Sequence, residues 1–311
     1  MNIPGLFKQR YCPLVSDEDR FFAALAEYAP KSFRVNTLKA TPGEIKERFE
    51  HYGIRIKQTS WYEDAFISED PEIGATLEHF LGKIYLQELV SMLPPLLIRS
   101  ELEQFAQSAG FVLDGCSAPG SKTTQIAAIM QNKGTIVAND LAYSRIKALK
   151  FNLEKIGALN TIITNRDLCS FPNLQFQAVI LDAPCSAEGT IRKNDEVLAN
   201  WNLREIQKQS RVQKALITKA YDLAAPGSVL VYSTCTFAPE ENECVVDWLL
   251  KNRPEAKLEH VTLDSFKFSK PLEEWEGQIF DQEVKKTARV WPHENNTGGF
   301  FLAKIRKEGG S

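Results

Sequence analysis

Cys185 and Cys235, about fifty residues apart, are the side chains best suited to chemistry in this chain. Cys185 lies in Val179-Ile180-Leu181-Asp182-Ala183-Pro184-Cys185-Ser186, and Cys235 lies in Leu230-Val231-Tyr232-Ser233-Thr234-Cys235-Thr236. Each follows a short apolar run rich in β-branched residues, the pattern of a buried strand. In an open parallel sheet, ligands bind beyond the carboxyl ends of the strands. Two thiols brought to that edge, with Asp182 and Pro184 beside one of them, read as a reaction centre that uses a thiolate. Free cysteine also serves as a small buried hydrophobe. As nucleophile candidates, Cys12, Cys116, Cys169 and Cys244 fit that plainer reading better.

A second constellation runs from Phe111 to Thr123, as strand, tight loop and helix start. Gly115 and Gly120 permit the turn and a close backbone approach. Two readings compete. A phosphate loop, G-x-x-x-x-G-K-[ST], is nearly present, but Ser121 separates Gly120 from Lys122, so the lysine comes one place late. Pro119 also removes an amide from a loop that would offer amides to phosphates. The other reading is a nucleoside-bearing methyl donor, held by Cys116, Ser117, Ala118, Pro119, Gly120, Ser121 and Lys122. Asp140 ends the next strand, where an acid can accept bonds from ribose hydroxyls. Asp167, after the third strand, is set to meet the adenine edge, and Arg145 on the following helix to bond the cofactor. The plainer alternatives are helix capping for Asp140 and Asp167, a surface ion pair for Arg145 and an exposed helix start for Lys122. A triphosphate would meet too many carboxylates here, and the methyl donor is the better fit.

The elements that position these residues follow an α/β pattern. Strands are expected at Gly110 to Asp114, Thr135 to Asn139, Thr161 to Thr164, Ala178 to Asp182 and Gly227 to Ser233. Helices are expected between them, at Lys122 to Met130, Tyr143 to Ile156 and Trp201 to Ala225. Such alternation implies a doubly wound sheet. Ala288 to Trp291 and Phe300 to Ile305 are expected to form an antiparallel closing hairpin. Upstream, the first thirty residues read as helical, with Phe21, Phe22, Leu25 and Tyr28 at helical spacing. An α+β unit follows: strands at Ser32 to Leu38, Ile54 to Thr59, Ala65 to Ser68 and Ile84 to Leu86, and helices at Pro42 to Tyr52, Ile73 to Phe80 and from Leu89. The expected division is 1–105, helical and α+β, and 106–311, catalytic.

The 311 residues are 43% hydrophobic and 25% charged, ordinary for a globular enzyme. No apolar run is long enough to span a bilayer, and Met1 to Lys8 lacks a signal-peptide core. A cytoplasmic chain with reduced thiols is expected, as a monomer and away from membranes. Six cysteines without a C-x-x-C pair, and four histidines, argue against a metal site. With a net charge of −3, any polyanion must meet local basic patches. The candidates are Lys31, Arg34 and Lys39; Arg192 and Lys193; and Lys304, Arg306 and Lys307. Glu308 to Ser311 reads as a frayed tail.

From Arg34 to about Ile305 the chain resembles the Nop/Sun (RsmB/NOP) family of S-adenosylmethionine-dependent RNA 5-methylcytosine methyltransferases. Arg34-Val35-Asn36-Thr37-Leu38 resembles its N-terminal signature, and Gly82 to Gln87 with Ser91 its lead-in to the core. The 114–123 loop resembles its donor loop, and Asn139-Asp140 with Arg145 the second cofactor motif. Asp182-Ala183-Pro184-Cys185-Ser186 and Ser233-Thr234-Cys235-Thr236, with Glu240, Glu241 and Asn242 beyond, match its two cysteine motifs. Arg289 to His293 and Thr297 to Phe301 match its C-terminal signature. Ser117 and Ser121 stand where the family more often has Ala and Gly, and Ala187 where Gly is usual.

The resemblance implies a class I methyltransferase fold, Rossmann-like, with an RRM-like N-terminal α+β subdomain. It also implies methylation of cytosine C5 in a structured RNA, transfer RNA before ribosomal RNA. C5 of cytosine is a poor nucleophile, and a thiolate adding at C6 converts the ring to an enamine that can take a methyl group. The charge arising at N3 calls for a carboxyl, and Asp182 is the candidate. Lys122 would lower a thiol pKa or place Asp182. Spacing does not tell the two thiols apart; the resemblance implies Cys235 as nucleophile and Cys185 as the thiol assisting release. The target base must be single-stranded or flipped. Arg34 and Asn36 are expected to grip the RNA backbone, and Trp201, Trp291, Phe300 and Phe301 to include a stacking surface. The rival functions are a P-loop-like NTPase and a non-catalytic RNA-binding protein.

Overall fold

The computed structural model describes residues 3–309; Met1, Asn2, Gly310 and Ser311, including the end of the expected tail, lie outside that range. Helices α1 (Gly5–Tyr11) and α2 (Glu18–Ala26) open the chain. Asp17 caps α2 by accepting from the Arg20 amide. Phe7, Tyr11, Phe21 and Leu25 bury against Ile191, Leu198, Phe237 and Trp291, so the opening helices pack on the catalytic core. Tyr28 departs from the expected helix: the chain turns extended at Glu27, and Tyr28 is 86% exposed.

An antiparallel α+β unit follows, with β1 (Lys31–Val35), α3 (Pro42–His51), β2 (Ile56–Gln58), β3 (Ala65–Ser68) and β4 (Ile84–Leu86). The strand order is β2-β3-β1-β4. Thr41 and Glu44 form a reciprocal capping box at the start of α3, with Pro42 in the first turn. Phe33, Val35, Ile45, Phe49, Phe66 and Ile84 make the core of the unit. Residues 73–80 break into Ile73–Ala75 and Leu77–Phe80, because Thr76 turns extended and its hydroxyl caps the second piece.

Strand alternation sends Arg34 to the opposite face from Phe33 and Val35. That face meets the catalytic domain, which corrects the expectation of an RNA grip. Arg34 is fully buried and donates to Gln87 Oε1 (3.2 Å) and Thr124 Oγ1 (3.1 Å). Asn36, also buried, donates to the Gly82 and Ile156 carbonyls, each at 2.8 Å. Both residues join the two parts of the molecule.

Beyond short helical segments at Leu89–Met92 and Leu93–Leu96, where a helix is expected from Leu89, α4 (Arg99–Gln107) leads into the α/β core. Its elements are β5 (Phe111–Asp114), α5 (Ser121–Ile129), β6 (Thr135–Asn139), α6 (Tyr143–Ile156), β7 (Thr161–Thr164), β8 (Phe176–Asp182), α7 (Leu203–Leu223), β9 (Ala224–Thr234), α8 (Glu243–Asn252), β10 (Ala256–Glu259), β11 (Ala288–Val290) and β12 (Phe300–Lys307). The order is β10-β12-β9-β8-β5-β6-β7, with β11 beside β12. Strands β5 to β9 run parallel, and β12 is antiparallel to β9, β10 and β11. The C-terminal pair forms as expected, but β12 inserts between β9 and β10 instead of closing an edge. Helix α8 and β10 were not among the expected elements; Val245-Val246 is β-branched and short enough to fit either helix or strand. One apolar layer centres on Leu113, Val179, Leu181, Ile217 and Leu230, the other on Val112, Ile126, Ile136, Ile180 and Val231. Alternate residues of the same strands serve both layers, as a sheet covered on both faces requires. The direction of progression reverses between β5 and β8, so the ligand crevice should open there.

Candidate active site

Asp182 ends β8 and Thr234 ends β9, so the loops that follow bring Cys185 and Cys235 to the same edge. The two sulfurs are 3.4 Å apart and share one hydrogen bond. That bond, and burial after it, push the Cys185 thiol well above its ordinary pKa. Either sulfur can donate in that bond, so the pair is placed to pass a proton between its members.

Asp182 is held from both sides. Lys122 Nζ donates to its Oδ2 (2.6 Å) and Ser233 Oγ to its Oδ1 (2.8 Å). Lys122 itself is buried, donates to Ser91 Oγ (3.1 Å) and lies over the Phe300 ring at 5.6 Å. It is neither an exposed helix-start lysine nor free to meet a triphosphate. A cavity of about 190 Å³ is walled by Ser91, Lys122, Asp182, Arg192, Cys235 and Phe300. Cys185 is not on that wall. Ser91 and Ser233 were not among the expected site residues; Ser233 sits in the cysteine motif two places before Cys235, and Ser91 in the segment that resembles the family's lead-in to the core.

The donor loop is built by cross-strand bonds. Ser117 donates from both amide and hydroxyl to the Asn139 carbonyl, at 2.8 and 3.0 Å. Gly120, at φ +104°, starts α5 in a left-handed conformation, and an added Cβ would come within 2.9 Å of Leu149 Cδ1. The Ala118 amide donates to Asp140 Oδ2 (3.1 Å), and the Ala142 amide to Oδ1 (2.9 Å). Arg145 donates to the Ala118 carbonyl, with a second nitrogen 3.6 Å from Asp140. Asn152 donates to the Pro119 carbonyl, and the Ser121 carbonyl accepts from Thr124. Cys116 lies at the loop's start, where burial, then the charges of Asp140, Asp114 and Asp182, raise its thiol pKa. That protonated thiol suits contact rather than attack. Asp167 is exposed and caps Leu168–Ser170 by accepting from the Cys169 amide.

One further acid belongs here. Asp114 ends β5, accepts from Thr123 Oγ1 (2.7 Å), and leaves Oδ1 buried with no partner. Burial pushes its carboxyl up to about 7. An orphaned acceptor at the switch point suits a ligand with a cationic end, and Asp140 suits a ribose. The residues present therefore fit S-adenosylmethionine, whereas the phosphates of a nucleoside triphosphate would face three carboxylates. Asp114 could have been found by the rule that found Asp140, an acid at a strand's carboxyl end.

The remaining expected aromatic and basic residues serve mainly packing and internal bonding. Trp291 and Phe301 are buried in packing, and Trp201 stacks edge-on with Phe7 at 5.4 Å, so of the four aromatics only Phe300 walls the cavity. Arg192 is buried and donates to the carbonyls of Glu27, Tyr28 and Thr297. Lys304 and Arg306 pair with Glu101 and Glu259, which cancels much of that basic cluster. Cys169 is exposed, not core. Among the described residues, no helix is long and apolar enough to cross a membrane.

Residues 104–306 match the family described as 16S rRNA methyltransferase RsmB/F, and residues 3–89 match the N-terminal domain of 16S rRNA methyltransferase RsmF. The chain is 42% identical over 304 residues to a tRNA (cytosine(49)-C(5))-methyltransferase of Pyrococcus abyssi, covering 96% of this chain and 94% of that one. It is 38% identical over 302 residues to a ribosomal RNA small subunit methyltransferase F of a Shewanella species, covering 93% of this chain but 58% of that longer protein. The crystal structure of a methyltransferase homolog from Pyrococcus horikoshii superposes with a TM-score of 0.83 at 32% identity, covering 97% and 94% of the two chains. With the paired thiols, the donor loop and these likenesses together, the chain belongs to the RsmB/F methyltransferase family, and its methyl donor is S-adenosylmethionine.

Proposed function

We propose that this enzyme methylates C5 of a cytosine in a structured RNA through a covalent bond between Cys235 Sγ and C6. The observation that carries this reading is an asymmetry: of two touching thiols, only Cys235 walls the cavity that also holds Asp182 and Lys122. Cys235 attacks as the thiolate, forming the S–C6 bond. The C5=C6 electron pair moves to C4=C5, the C4=N3 pair moves to N3, and N3 takes up a proton. Asp182, held in place by Lys122, pairs with the N3–H and N4–H edge that results. It is thus complementary to the adduct more than to the free base, as catalysis by differential binding requires. S-adenosylmethionine supplies an electrophilic methyl group on a sulfonium, which C5 takes. The C4=C5 pair forms the new C–C bond, the N3 pair re-forms C4=N3, and the donor leaves as the neutral thioether. Release then breaks the C5–H and S–C6 bonds, restores C5=C6, and N3 gives up the proton it took. Cys185 gives its proton to the departing Cys235 sulfur and takes the C5 proton in return.

Transfer RNA is the favoured substrate, supported by the end-to-end likeness to a tRNA (cytosine(49)-C(5))-methyltransferase; ribosomal RNA comes next. The test is incubation with labelled S-adenosylmethionine and separate transfer and ribosomal RNA pools, followed by mapping of the labelled base. Label at cytosine C5 in transfer RNA is expected. Label at another atom or base overturns the chemistry, and label confined to ribosomal RNA overturns the preference.

A further inference from the structure

Two buried carboxylates lie behind the thiols, and the chemistry above uses neither. Glu188 follows Cys185 by three positions, yet its Oε2 accepts from Thr236 Oγ1 (2.7 Å) and the Phe237 amide (3.0 Å), just after Cys235. Glu241 follows Cys235 by six, yet it accepts from the Ser186 amide (3.0 Å) and Ser186 Oγ (2.5 Å), just after Cys185. Each thiol's loop thus carries an acid that grips the other loop, and Glu241 Oε1 also accepts a longer bond (3.3 Å) from Thr236 Oγ1 on its own side. The two gripped hydroxyls, Ser186 Oγ and Thr236 Oγ1, meet at 2.8 Å, and the Gly189 amide donates to the Cys235 carbonyl at 2.9 Å. Both acids are fully buried and anchored behind. Glu188 Oε1 accepts from Tyr11 Oη (2.6 Å) and Trp201 Nε1, and Glu241 Oε2 from Gln213 Nε2 (2.8 Å).

Burying two acids this close is costly, and hydrophobic residues would fill the space at lower cost. Their bonds run crosswise between the thiol loops, which are otherwise anchored on separate strands. We infer that Glu188 and Glu241 are positioning residues forming a reciprocal clamp, in which Glu188 fixes Cys235 for attack and Glu241 fixes Cys185 for release. The inference rests on the covalent reading above. A misplacement of ~1 Å can cost on the order of a hundredfold in rate, so loosening one arm should impair one step more than the other.

The test uses the full chain with a pool of transfer RNA and small-subunit ribosomal RNA transcripts, made once with ordinary cytosine and once with 5-fluorocytosine. The fluorine blocks release, so trapping reports attack, while adduct accumulating on ordinary RNA with the methyl donor reports failed release. Glu188→Ala should slow trapping about ten- to a hundredfold and accumulate no adduct on ordinary RNA. Glu241→Ala should trap at nearly the wild-type rate and accumulate adduct. Glu241→Gln, which still offers an oxygen to the Ser186 amide, should recover release, and the KM for RNA should stay constant throughout. Should an alanine variant fail to fold, Thr236→Val and Ser186→Ala remove the gripped hydroxyls and should shift attack and release, respectively, in the same directions. Equal loss of both steps, tracking lost thermal stability, would reduce the acids to a structural role and overturn the clamp. Wild-type protein that is not trapped by the fluorinated pool would instead sink the covalent reading itself.

Discussion

At the scale of single residues, the two cysteines should respond oppositely to the same substitution. Cys185→Ala should form the protein–RNA adduct and fail to resolve it, leaving a species that survives denaturing electrophoresis. Cys235→Ala and the double variant should form none, while still binding the methyl donor. Adduct from Cys235→Ala but not from Cys185→Ala would reverse the roles. Loss of a small buried side chain alone would lower stability modestly in both and trap nothing. Asp140 is the strongest test of donor binding. Its carboxylate holds the Ala118 and Ala142 amides and keeps lone pairs for a ribose. Hydrogen bonds to charged groups contribute about 1.5–3 kcal/mol, so Asp140→Ala should weaken S-adenosylmethionine by roughly ten- to a hundredfold in calorimetry. Unchanged affinity would remove Asp140 from the donor site.

At the scale of elements, the loop after β8 carries a departure with a physical signature. Ala187, where the family usually has Gly, sits at φ +61°. A left-handed alanine costs roughly 1–2 kcal/mol, and glycine returns part of that gain as chain entropy. Ala187→Gly should therefore raise stability by about 0.5–1 kcal/mol, read from the urea midpoint at constant slope. A lower midpoint would mean that the alanine methyl group contributes more than the strain costs.

At the scale of the whole molecule, the α+β unit is joined to the core by buried polar bonds rather than by a flexible tether. Gly82 sits at φ +70°, and a Cβ there would meet the Lys155 carbonyl at 2.1 Å. Gly82→Ala must push the unit off the end of α6 and strain the Asn36 bonds to Gly82 and Ile156. A loss of about 1–3 kcal/mol is expected, read by thermal unfolding. Stability should also depend on pH in a specific sense. Burial pushes Asp114 and Glu241 up to about 7 in the fold, whereas unfolded carboxyls titrate near their ordinary values of about 4. Between those values the native state binds more protons than the unfolded chain, so these two groups lower stability as pH rises through about 4 to 7. Each contributes at most ~1.4 kcal/mol per pH unit. Asp114→Asn should be flatter than wild type across that window in urea titrations at several pH values; an identical slope would show that Asp114 ionises normally.

The sequence by itself determined the α/β core, because strand and helix periodicities differ and the five parallel strands are short, apolar and bounded by turns. Thr135–Asn139, Tyr143–Ile156 and Thr161–Thr164 have the expected bounds. It also marked Cys185, Cys235, Asp182 and Asp140, since an acid or thiol just past an apolar strand stands out locally. What local pattern cannot carry is partnership across distant segments. Lys122 admits both an exposed helix start and a partner for Asp182, and only β8, which brings Asp182 within 2.6 Å of it, decides between them. Arg34 reads as a basic contact until strand alternation turns it into the seam against α5. Asp114 passes as a strand end until burial isolates its second oxygen. The difference between the two thiols is likewise tertiary: both follow similar strands, and only the packing of Phe300, Lys122 and Ser91 around one cavity leaves Cys235 on its wall and Cys185 behind it.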